Sequence, residues 1–430
     1  MAAPTTRFDP LAYRDPHPRP ALIRALGPIN HHLVLRRLLK VRRLDLPAAD
    51  LARLRAAVNP ETVAFLGPNH PEFMTDWMID KEISRLCSPL MAHWASWEIV
   101  NLNPWVQAFW LDNNLISNAP GGGGKEYSVR WALQGHGVLL HPEGTATWNG
   151  DRIGPLVPGI VDMAWEACGR LAGRHEARSV FVVPLLWKLR FTADVSSQLH
   201  REMALIERRL RLPASGTATV EARFARLQKN VLAWRYERFG HPRPAGRVFA
   251  DREFFRLQGA LANRLLDELR ERYGESDEEL TRTLHALRRA IRKRKSTDPE
   301  GARRDRSMME EIERLHRFKP ELYDRATLTQ EQIAENLKQI RSALVRRGWR
   351  NAMHNLVPVS VAPRVAHVRI PEPLAVSESF SSANAESAKG RLLAALRDRM
   401  QGGLDALNAE IAPSVDRFRR PNPLWTGARD

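Results

Sequence analysis

The sequence contains little cysteine: Cys87 and Cys168 are the only two among 430 residues. Two cysteines are too few for a disulfide framework or a cysteine-based zinc site, so we expect a reducing compartment. Both lie in apolar helical contexts, where an inert buried thiol is expected rather than a catalytic one.

Long apolar runs are also missing. No segment approaches the roughly 20 apolar residues that a membrane-spanning helix needs. The first 20 residues are polar and rich in proline, unlike a signal peptide. We therefore expect a cytoplasmic protein without a transmembrane helix, which could act peripherally at the inner face of a membrane.

Acidic residues are outnumbered. The chain has 66 Lys and Arg against 49 Asp and Glu, a formal charge of +17. Such an excess favours an anionic partner, either nucleic acid, an anionic bilayer or an acidic protein. Hydrophobic residues make up 43% and charged residues 27%, values typical of a globular chain, which argues against wholesale disorder or a polytopic membrane protein.

The residue pattern predicts an α/β fold with a mostly parallel sheet flanked by helices, a large helical insertion and a C-terminal helix. Apolar runs typical of strands alternate with segments of helical spacing, such as 62–67, 76–86, 159–172 and 179–191. The predicted segments are a basic helical region (1–58), an α/β core (59–197), a charged helical insertion (198–350), a strand that returns to the core (351–376), and a linker with the last helix (377–430). Within the first, the pattern predicts helix over 21–57.

The first candidate site follows the strand 62–67. His70 lies where this strand should leave the sheet, Pro71 suits the first turn of a helix, and the acidic Glu72 and Asp76 fall early in that helix. Ligands bind outside the carboxyl ends of parallel strands. An imidazole there can take up a proton at one nitrogen while a carboxylate, here Asp76, fixes the other.

The second candidate site follows the strand-like residues 138–140. The turn that comes next brings a carboxylate, a glycine and a hydroxyl together at Glu143, Gly144 and Thr145. The glycine lets the backbone approach a ligand, and the amides after it can bind an anion.

Taken in order, these motifs resemble one enzyme family. N-H-P-x4-D after one strand, P-E-G-T after another and then the strand V-F-V-V-P-L-L-W are similar to glycerolipid acyltransferases of the lysophosphatidic-acid acyltransferase type (1-acylglycerol-3-phosphate O-acyltransferase-like). The resemblance covers roughly residues 60–195 and, more weakly, 355–376. It implies catalytic roles for His70 and Asp76, binding of the acceptor's phosphate by residues 143–145, and a place for Pro184 in a strand that lines the site.

The spacing between histidine and acid departs from the family. The family has four residues between them and this chain has five, so Thr75 occupies the family's acidic position. One extra residue turns a helix by about 100°. We expect the turn before the helix to absorb it, so that Asp76 serves; otherwise the pair is broken and the chain is an inactive relative.

Two further positions differ. Asn118 stands where the family has an arginine, and Lys125 or Arg130 would take over its phosphate contact. His141 replaces the aromatic residue before P-E-G-T, and we expect it to serve packing rather than catalysis.

The resemblance implies direct acyl transfer. Nε2 of His70 would take the proton of an acceptor hydroxyl, which attacks an acyl thioester carried by CoA or by acyl-carrier protein, while Asp76 holds the imidazole. Neither a metal nor a bound cofactor is expected. The expected acceptor is a lysophospholipid or glycerol phosphate at an anionic membrane surface, reached through basic clusters at 36–43 and 288–295 and through tryptophans such as Trp105.

Other functions remain open. The same fold could acylate glycerol 3-phosphate itself, an amine or a glycolipid, since the family's arginine is missing. The basic helical region 200–350 could bind nucleic acid without catalysis, but its many acidic residues dilute a cationic stripe, so we expect no nucleic-acid partner.

Overall fold

A computed structural model describes most of the chain. The described residues are 8–9, 11–72, 75–119, 121–147, 149–213, 218–242, 253–275, 277, 280–317, 325–345, 362–380, 384–422 and 424–425. The chain divides into two compact units, the first made of Met1–Val195 and Arg346–Arg417 and the second of Ser196–Val345 and Phe418–Asp430. The second unit begins at Ser196, close to residue 198, where the sequence pattern placed the start of the helical insertion.

The N-terminal region is only partly helical. Helix α1 (Pro20–Pro28) continues as a π-helix (Ile29–Leu38), and α2 covers Ala48–Ala57. Between them, β1 (Val41–Asp45) is a strand, so the prediction of helix over 21–57 is wrong there. The reason is tertiary: β1 pairs in parallel with β8 (Arg364–Arg369), more than 300 residues later in the chain, and this pairing overrides a sequence rich in helix-forming Arg and Leu.

The first unit is built on one mostly parallel sheet, which confirms the predicted α/β class. Its strand order is β1-β8-β6-β2-β5-β3-β4, with β9 also paired to β6. Neighbours from β6 to β4 are all parallel, whereas β8 and β9 run antiparallel to β6. The remaining strands of the sheet are β2 (Thr62–Pro68), β3 (Ala92–Ala95), β4 (Leu115–Ser117), β5 (Val138–Leu139), β6 (Ser179–Phe191) and β9 (Leu374–Ala375).

Strand β2 sits between two layers of helices. Its residues alternate, so that Val63 and Phe65 enter one apolar core and Ala64 and Leu66 the other. The first core also contains residues of α7 and α15, and the second contains residues of α2 and α3. The helices that follow α2 in this unit are α3 (Thr75–Cys87), α4 (Trp97–Val100), α5 (Pro104–Asp112), α6 (Gly123–Ala132), α7 (Gly159–Gly173), α14 (Val376–Ser379) and α15 (Ala385–Val415).

The predicted returning strand is present as β8. Its buried and half-buried residues alternate, with Ala366 and Val368 inward. The part of the predicted 351–376 segment that precedes residue 362 lies outside the described residues.

The second unit is helical. A short antiparallel pair joins β7 (Thr327–Leu328) to β10 (Arg420–Pro421). Its helices are α8 (Ser196–Leu210), α9 (Val220–Arg238), α10 (Phe254–Tyr273), α11 (Leu280–Arg294), α12 (Pro299–Arg317) and α13 (Gln330–Ile340). Across both units, none of the helices in the described ranges combines the length and apolar character needed to cross a bilayer.

Candidate active site

The two candidate motifs meet at one edge of the sheet. β2 and β5 are parallel neighbours, with Phe65 opposite Val138 and Leu66 opposite Leu139. Their carboxyl ends therefore lie side by side, and the segments 69–72 and 140–145 leave the sheet together. This is the edge at which parallel α/β sheets bind ligands.

Asn69 fixes the chain as it leaves β2. Its backbone N–H donates to the carbonyl of Leu185 at 3.0 Å. Its side-chain amide donates to the Trp187 carbonyl at 3.1 Å and accepts from the Trp187 N–H at 2.8 Å. The amide thus extends the pairing of β2 with β6 for one more residue, and His70 starts from an anchored position.

His70 and Asp76 lie in contact. Their closest atoms are His70 Nε2 and Asp76 Oδ2, 3.4 Å apart, with both side chains more than four-fifths buried. The distance is longer than a strong hydrogen bond, as catalytic contacts often are before substrate binds. Asp76 lies in the first turn of α3, which begins at Thr75.

The nitrogen that faces Asp76 differs from the sequence expectation. Asp76 lies at Nε2, the atom expected to take the substrate's proton, while Nδ1 is buried. Asp76 is the second residue of α3, and from there its carboxylate meets the far nitrogen of the ring. In this orientation Nε2 is held by the acid.

Glu143 supports the backbone of both motifs. One carboxylate oxygen accepts from the His70 N–H at 3.0 Å and the other from the Gly154 N–H at 2.7 Å. Gly144 is exposed, with a φ of +65° that favours glycine, and Thr145 is half-buried. Gly144 and Thr145 therefore offer the accessible part of the turn, while Glu143 links the turn to the backbone of His70 and of Gly154.

His141, for which the sequence predicts packing rather than catalysis, makes a ring contact and several polar contacts. Its ring lies against that of His70, with centroids 4.3 Å apart. Nδ1 is 3.1 Å from the Asn69 carbonyl and Nε2 is 3.0 Å from Asp80 Oδ2. Nε2 is also 3.7 Å from Asp76 Oδ2. We call His70, Asp76, Asp80 and His141 the histidine–aspartate cluster.

The cluster favours a protonated His141. Burial alone would lower the pKa of His141, but the charge and hydrogen bond of Asp80, the charge of Asp76 and the Asn69 carbonyl together raise that pKa to about 9. Burial raises the pKa of Asp80, and the charge of His141 opposes that rise. Burial thus favours the uncharged forms of His141 and Asp80, whereas their contact favours the charged pair. The charged pair prevails, because two carboxylates face one imidazole nitrogen.

A second buried network lies on the other side of the His70 loop. Glu72 precedes α3 instead of lying in its first turn, and it pairs with Arg364 of β8 at 2.7 Å. Asn149 donates to Glu72 at 3.1 Å, and its backbone N–H donates to the Pro71 carbonyl at 2.7 Å. Thr147 donates its N–H to the His70 carbonyl at 2.7 Å.

The cations expected at the acceptor's phosphate lie further out. Lys125, in the first turn of α6, is exposed and 3.9 Å from Asp162. Arg130, near the end of that helix, is paired with Asp15 at 2.5 Å. Asn118, just after β4, accepts from the Trp97 N–H at 2.7 Å and so caps α4.

Pro184 lies buried in β6 opposite Gly67 of β2. It falls between the two antiparallel partners of β6, since β9 pairs at residues 181–182 and β8 only from Leu186 onward. A residue without an N–H is tolerated at such a gap in the ladder. Pro184 borders the site through Leu185, whose carbonyl accepts from Asn69.

An open cavity of about 610 Å³ lies in the first unit. Its lining comes from α6, α7 and α15 and includes Lys125, Asp162, Trp165 and Lys389. It reaches Pro158, whose neighbour Val157 donates to the Pro142 carbonyl at 2.8 Å. Neither the P-E-G-T turn nor His70 contributes to its lining, and its walls carry both cations and acids.

Several residues of the site were not singled out from the sequence. Asp80 could have been found, because it lies four residues after Asp76 and so shares its helix face. Asn149, Thr147 and Arg364 carried no local signal. In the part of the chain that the structure describes, no group of three or more His, Cys, Asp or Glu residues is arranged to hold a metal ion.

Comparisons with known proteins add no family to this description. No protein-family model matches the chain, and no curated protein is significantly similar to it. The resemblance to glycerolipid acyltransferases stays a prediction, and function has to be argued from the site.

Proposed function

We propose that the protein is an acyltransferase that moves a fatty acyl group from an acyl thioester to the hydroxyl of a glycerophosphate or lysophospholipid, as in phospholipid synthesis. The observation that carries the proposal is the contact of His70 with Asp76, 3.4 Å apart at the carboxyl edge of a parallel sheet, beside the 142–145 turn. A histidine with an acid partner at this edge suits general-base chemistry on a hydroxyl.

The reaction would run in one displacement. His70 takes the proton of the acceptor hydroxyl, and the oxygen attacks the thioester carbonyl. The tetrahedral adduct collapses with breakage of the carbon–sulfur bond, and the thiolate leaves with the proton from the imidazolium. Asp76 stabilises that imidazolium. The thioester is already a good leaving group, so a covalent enzyme intermediate is unnecessary.

The base would be the nitrogen that does not face Asp76. In the orientation described above this is Nδ1, which is buried. A half-turn of the ring about the Cβ–Cγ bond moves Nδ1 to the place of Cδ2 and Nε2 to the place of Cε1, so it changes which nitrogen-bearing edge of the ring faces the carboxylate. We propose that this turn accompanies substrate binding.

The acceptor's headgroup would lie over Gly144 and Thr145. The exposed Gly144 leaves the backbone open to a phosphate, and the exposed Lys125 supplies a cation from the neighbouring cavity wall. Asn118 caps α4 instead of offering a charge. This favours a wider choice of acceptor than a dedicated arginine would give, including glycerol 3-phosphate itself.

The membrane side of the site would be α5 and the segment before it. Trp105 is 87% exposed, and Leu102 and Phe109 are 57% and 41% exposed. Trp105 and Phe109 share a helix face, and the next residue, Trp110, packs edge-on against Trp77 beside Asp76. Exposed apolar clusters of this kind mark interaction surfaces, and an indole ring suits the bilayer interface. With an excess of cationic residues in the chain, we propose an anionic bilayer as its partner.

The decisive experiment measures thiol release from acyl-CoA and from acyl-carrier protein loaded with the same chain. Each donor is tested with lysophosphatidic acid, other lysophospholipids and glycerol 3-phosphate, and labelled product is identified. We expect acceptor-dependent release with at least one glycerophosphate. His70→Ala and Asp76→Asn should reduce the rate by about 100-fold or more, whereas the neighbouring Thr75→Ala should change it little.

Hydrolysis without an acceptor, or full activity in His70→Ala, would refute the proposal. If Thr75→Ala abolished activity while Asp76→Asn kept it, Asp76 would be the wrong residue for the acid's role. Transfer to an amine or a glycolipid alone would keep the reaction type and replace the acceptor.

A further inference from the structure

One carboxylate oxygen of the site lies between two imidazoles. Asp76 Oδ2 is 3.4 Å from His70 Nε2 and 3.7 Å from His141 Nε2. The two rings lie at an angle of 33° with centroids 4.3 Å apart. His141 therefore touches both members of the His70–Asp76 pair.

The neighbours of His141 define its protonation. Nδ1 is 3.1 Å from the Asn69 carbonyl, and Nε2 is 3.0 Å from a carboxylate oxygen of Asp80. A carbonyl and a carboxylate accept hydrogen bonds. A neutral imidazole has one N–H and could satisfy only one of them, whereas an imidazolium donates at both nitrogens. The geometry thus suits the cation.

Asp80 anchors this cation from the same helix. It lies one turn after Asp76 in α3, and both side chains reach the same nitrogen of His141. Only 2% of the Asp80 side chain is exposed, so the pair is fixed within the protein. His141 is held at three points: by Asp80, by the Asn69 carbonyl and by its contact with the His70 ring.

Two departures from the family that the sequence resembles meet here. The acid comes one residue late, and a histidine replaces the aromatic residue before P-E-G-T. A carboxylate displaced along the helix needs a new partner to keep it at His70, and the imidazolium of His141 is within reach of it.

We propose that His141 is a positioning residue: held by Asp80 and the Asn69 carbonyl, its imidazolium keeps the Asp76 carboxylate against His70. The inference rests on the proposed function only where it concerns the effect of His141 on catalysis. The contact itself is testable without a substrate.

The charge balance agrees with this role. With His70 neutral, the histidine–aspartate cluster carries two carboxylates and one imidazolium. When His70 gains a proton the cluster becomes neutral, so His141 lets Asp76 stay ionised without leaving two uncompensated charges beside His70. The titratable groups that face His141 are Asp76 and Asp80 from α3, His70 from the loop after β2 and His93 from β3.

The test uses the full chain labelled with ¹⁵N in histidine. Long-range proton–nitrogen correlation spectra distinguish an imidazolium from each neutral tautomer. At pH 7 we expect both nitrogens of His141 to be protonated, and neutral His70 to carry its proton mainly on Nε2, facing Asp76. Asp76→Asn defines the spectrum of His70 without its acid.

In His141→Phe an aromatic ring is kept and the charge is lost. We expect the His70 tautomer ratio to move most of the way to that of Asp76→Asn. Asp80→Asn, which removes only the anchor's charge, should move it in the same direction and serves if the phenylalanine variant does not fold. His136→Asn, a histidine outside the cluster, should leave His70 unchanged.

A His141 with one protonated nitrogen at pH 7, or a His70 spectrum unaltered in both variants, overturns the proposal. If the wild-type chain transfers acyl groups, His141→Phe should also lower kcat by about 10- to 100-fold with little change in KM. An absence of acyl transfer together with the expected spectra would remove the proposed function and leave the positioning role intact.

Discussion

Asn69 offers a sharp test of how the site is held. Replacing it by alanine removes two hydrogen bonds, one to the Trp187 carbonyl at 3.1 Å and one from the Trp187 N–H at 2.8 Å. Trp187 is fully buried, so its two backbone groups lose their partners away from solvent. Each unsatisfied buried group costs about 1–3 kcal/mol, which gives roughly 2–6 kcal/mol for Asn69→Ala.

Two measurements check this value. Nine of the 12 tryptophans lie between Trp77 and Trp187, so urea unfolding followed by tryptophan fluorescence reports mainly on the first unit. Hydrogen exchange of the peptide that contains Trp187 should also accelerate, because its N–H is no longer bonded to a side chain. Asn384→Ala is the control: Asn384 is exposed and makes no capping bond to α15.

The reasoning fails if Asn69→Ala costs less than about 1 kcal/mol, or if exchange at Trp187 stays as slow as in the wild type. It also fails if Asn384→Ala destabilises the first unit equally, because the loss would then not come from the two bonds.

Three further predictions concern separate parts of the first unit and its surface. Trp105→Ser should lower the affinity for vesicles containing phosphatidylglycerol by about tenfold in a sedimentation assay. The same substitution at Trp425, another exposed tryptophan, should not lower it. Equal effects would contradict α5 as the side that meets the membrane. Asp151→Asn takes away the carboxylate that contacts the buried Lys188, which should lower the free energy of unfolding in urea by about 3–5 kcal/mol. Adding Lys188→Met to the same chain should recover part of this loss. Strictly additive effects of the two substitutions would contradict a direct pair. The pKa of His141 is raised in the folded chain to about 9 from an ordinary 6.5, so the stabilisation by its charged form is complete below pH 6.5 and is lost as pH rises through 9. The free energy of unfolding should fall by about 3 kcal/mol over that window, and His141→Phe should abolish this change. An unchanged pH profile in the variant would refute the prediction.

The parts of the fold that local pattern determines were predictable. The apolar run at 62–67 and the Val- and Leu-rich run at 179–191 are β2 and β6, and the spacing at 159–172 is α7. β1 was not predictable, because its residues Arg42 and Arg43 favour a helix and only the pairing with β8 makes them a strand. In these segments, the preference of neighbouring residues decided between helix and strand where no pairing with a distant strand opposed it.

The candidate site, like the fold, has parts that could be predicted from the sequence and parts that could not. His70 and Asp76 are close in sequence, and a strand followed by a helix is enough to predict that they meet. The charge pair of Glu72 with Arg364 joins residues 292 positions apart, and nothing in either neighbourhood indicates the other. The polar contacts of His141 were not predictable, because its partner Asp80 lies on another element and an isolated histidine after a strand gives no sign of two carboxylates.

The loop that carries His70 is held mainly by these distant contacts. Four of its backbone groups, from the Asn69 N–H to the Pro71 carbonyl, bond to β6, to Glu143 or to residues 147 and 149. A backbone held at these four points has little freedom to move the histidine as a whole. The imidazole ring therefore adjusts chiefly by rotating about its own side-chain bonds, and a rotation about Cβ–Cγ changes which edge of the ring faces Asp76.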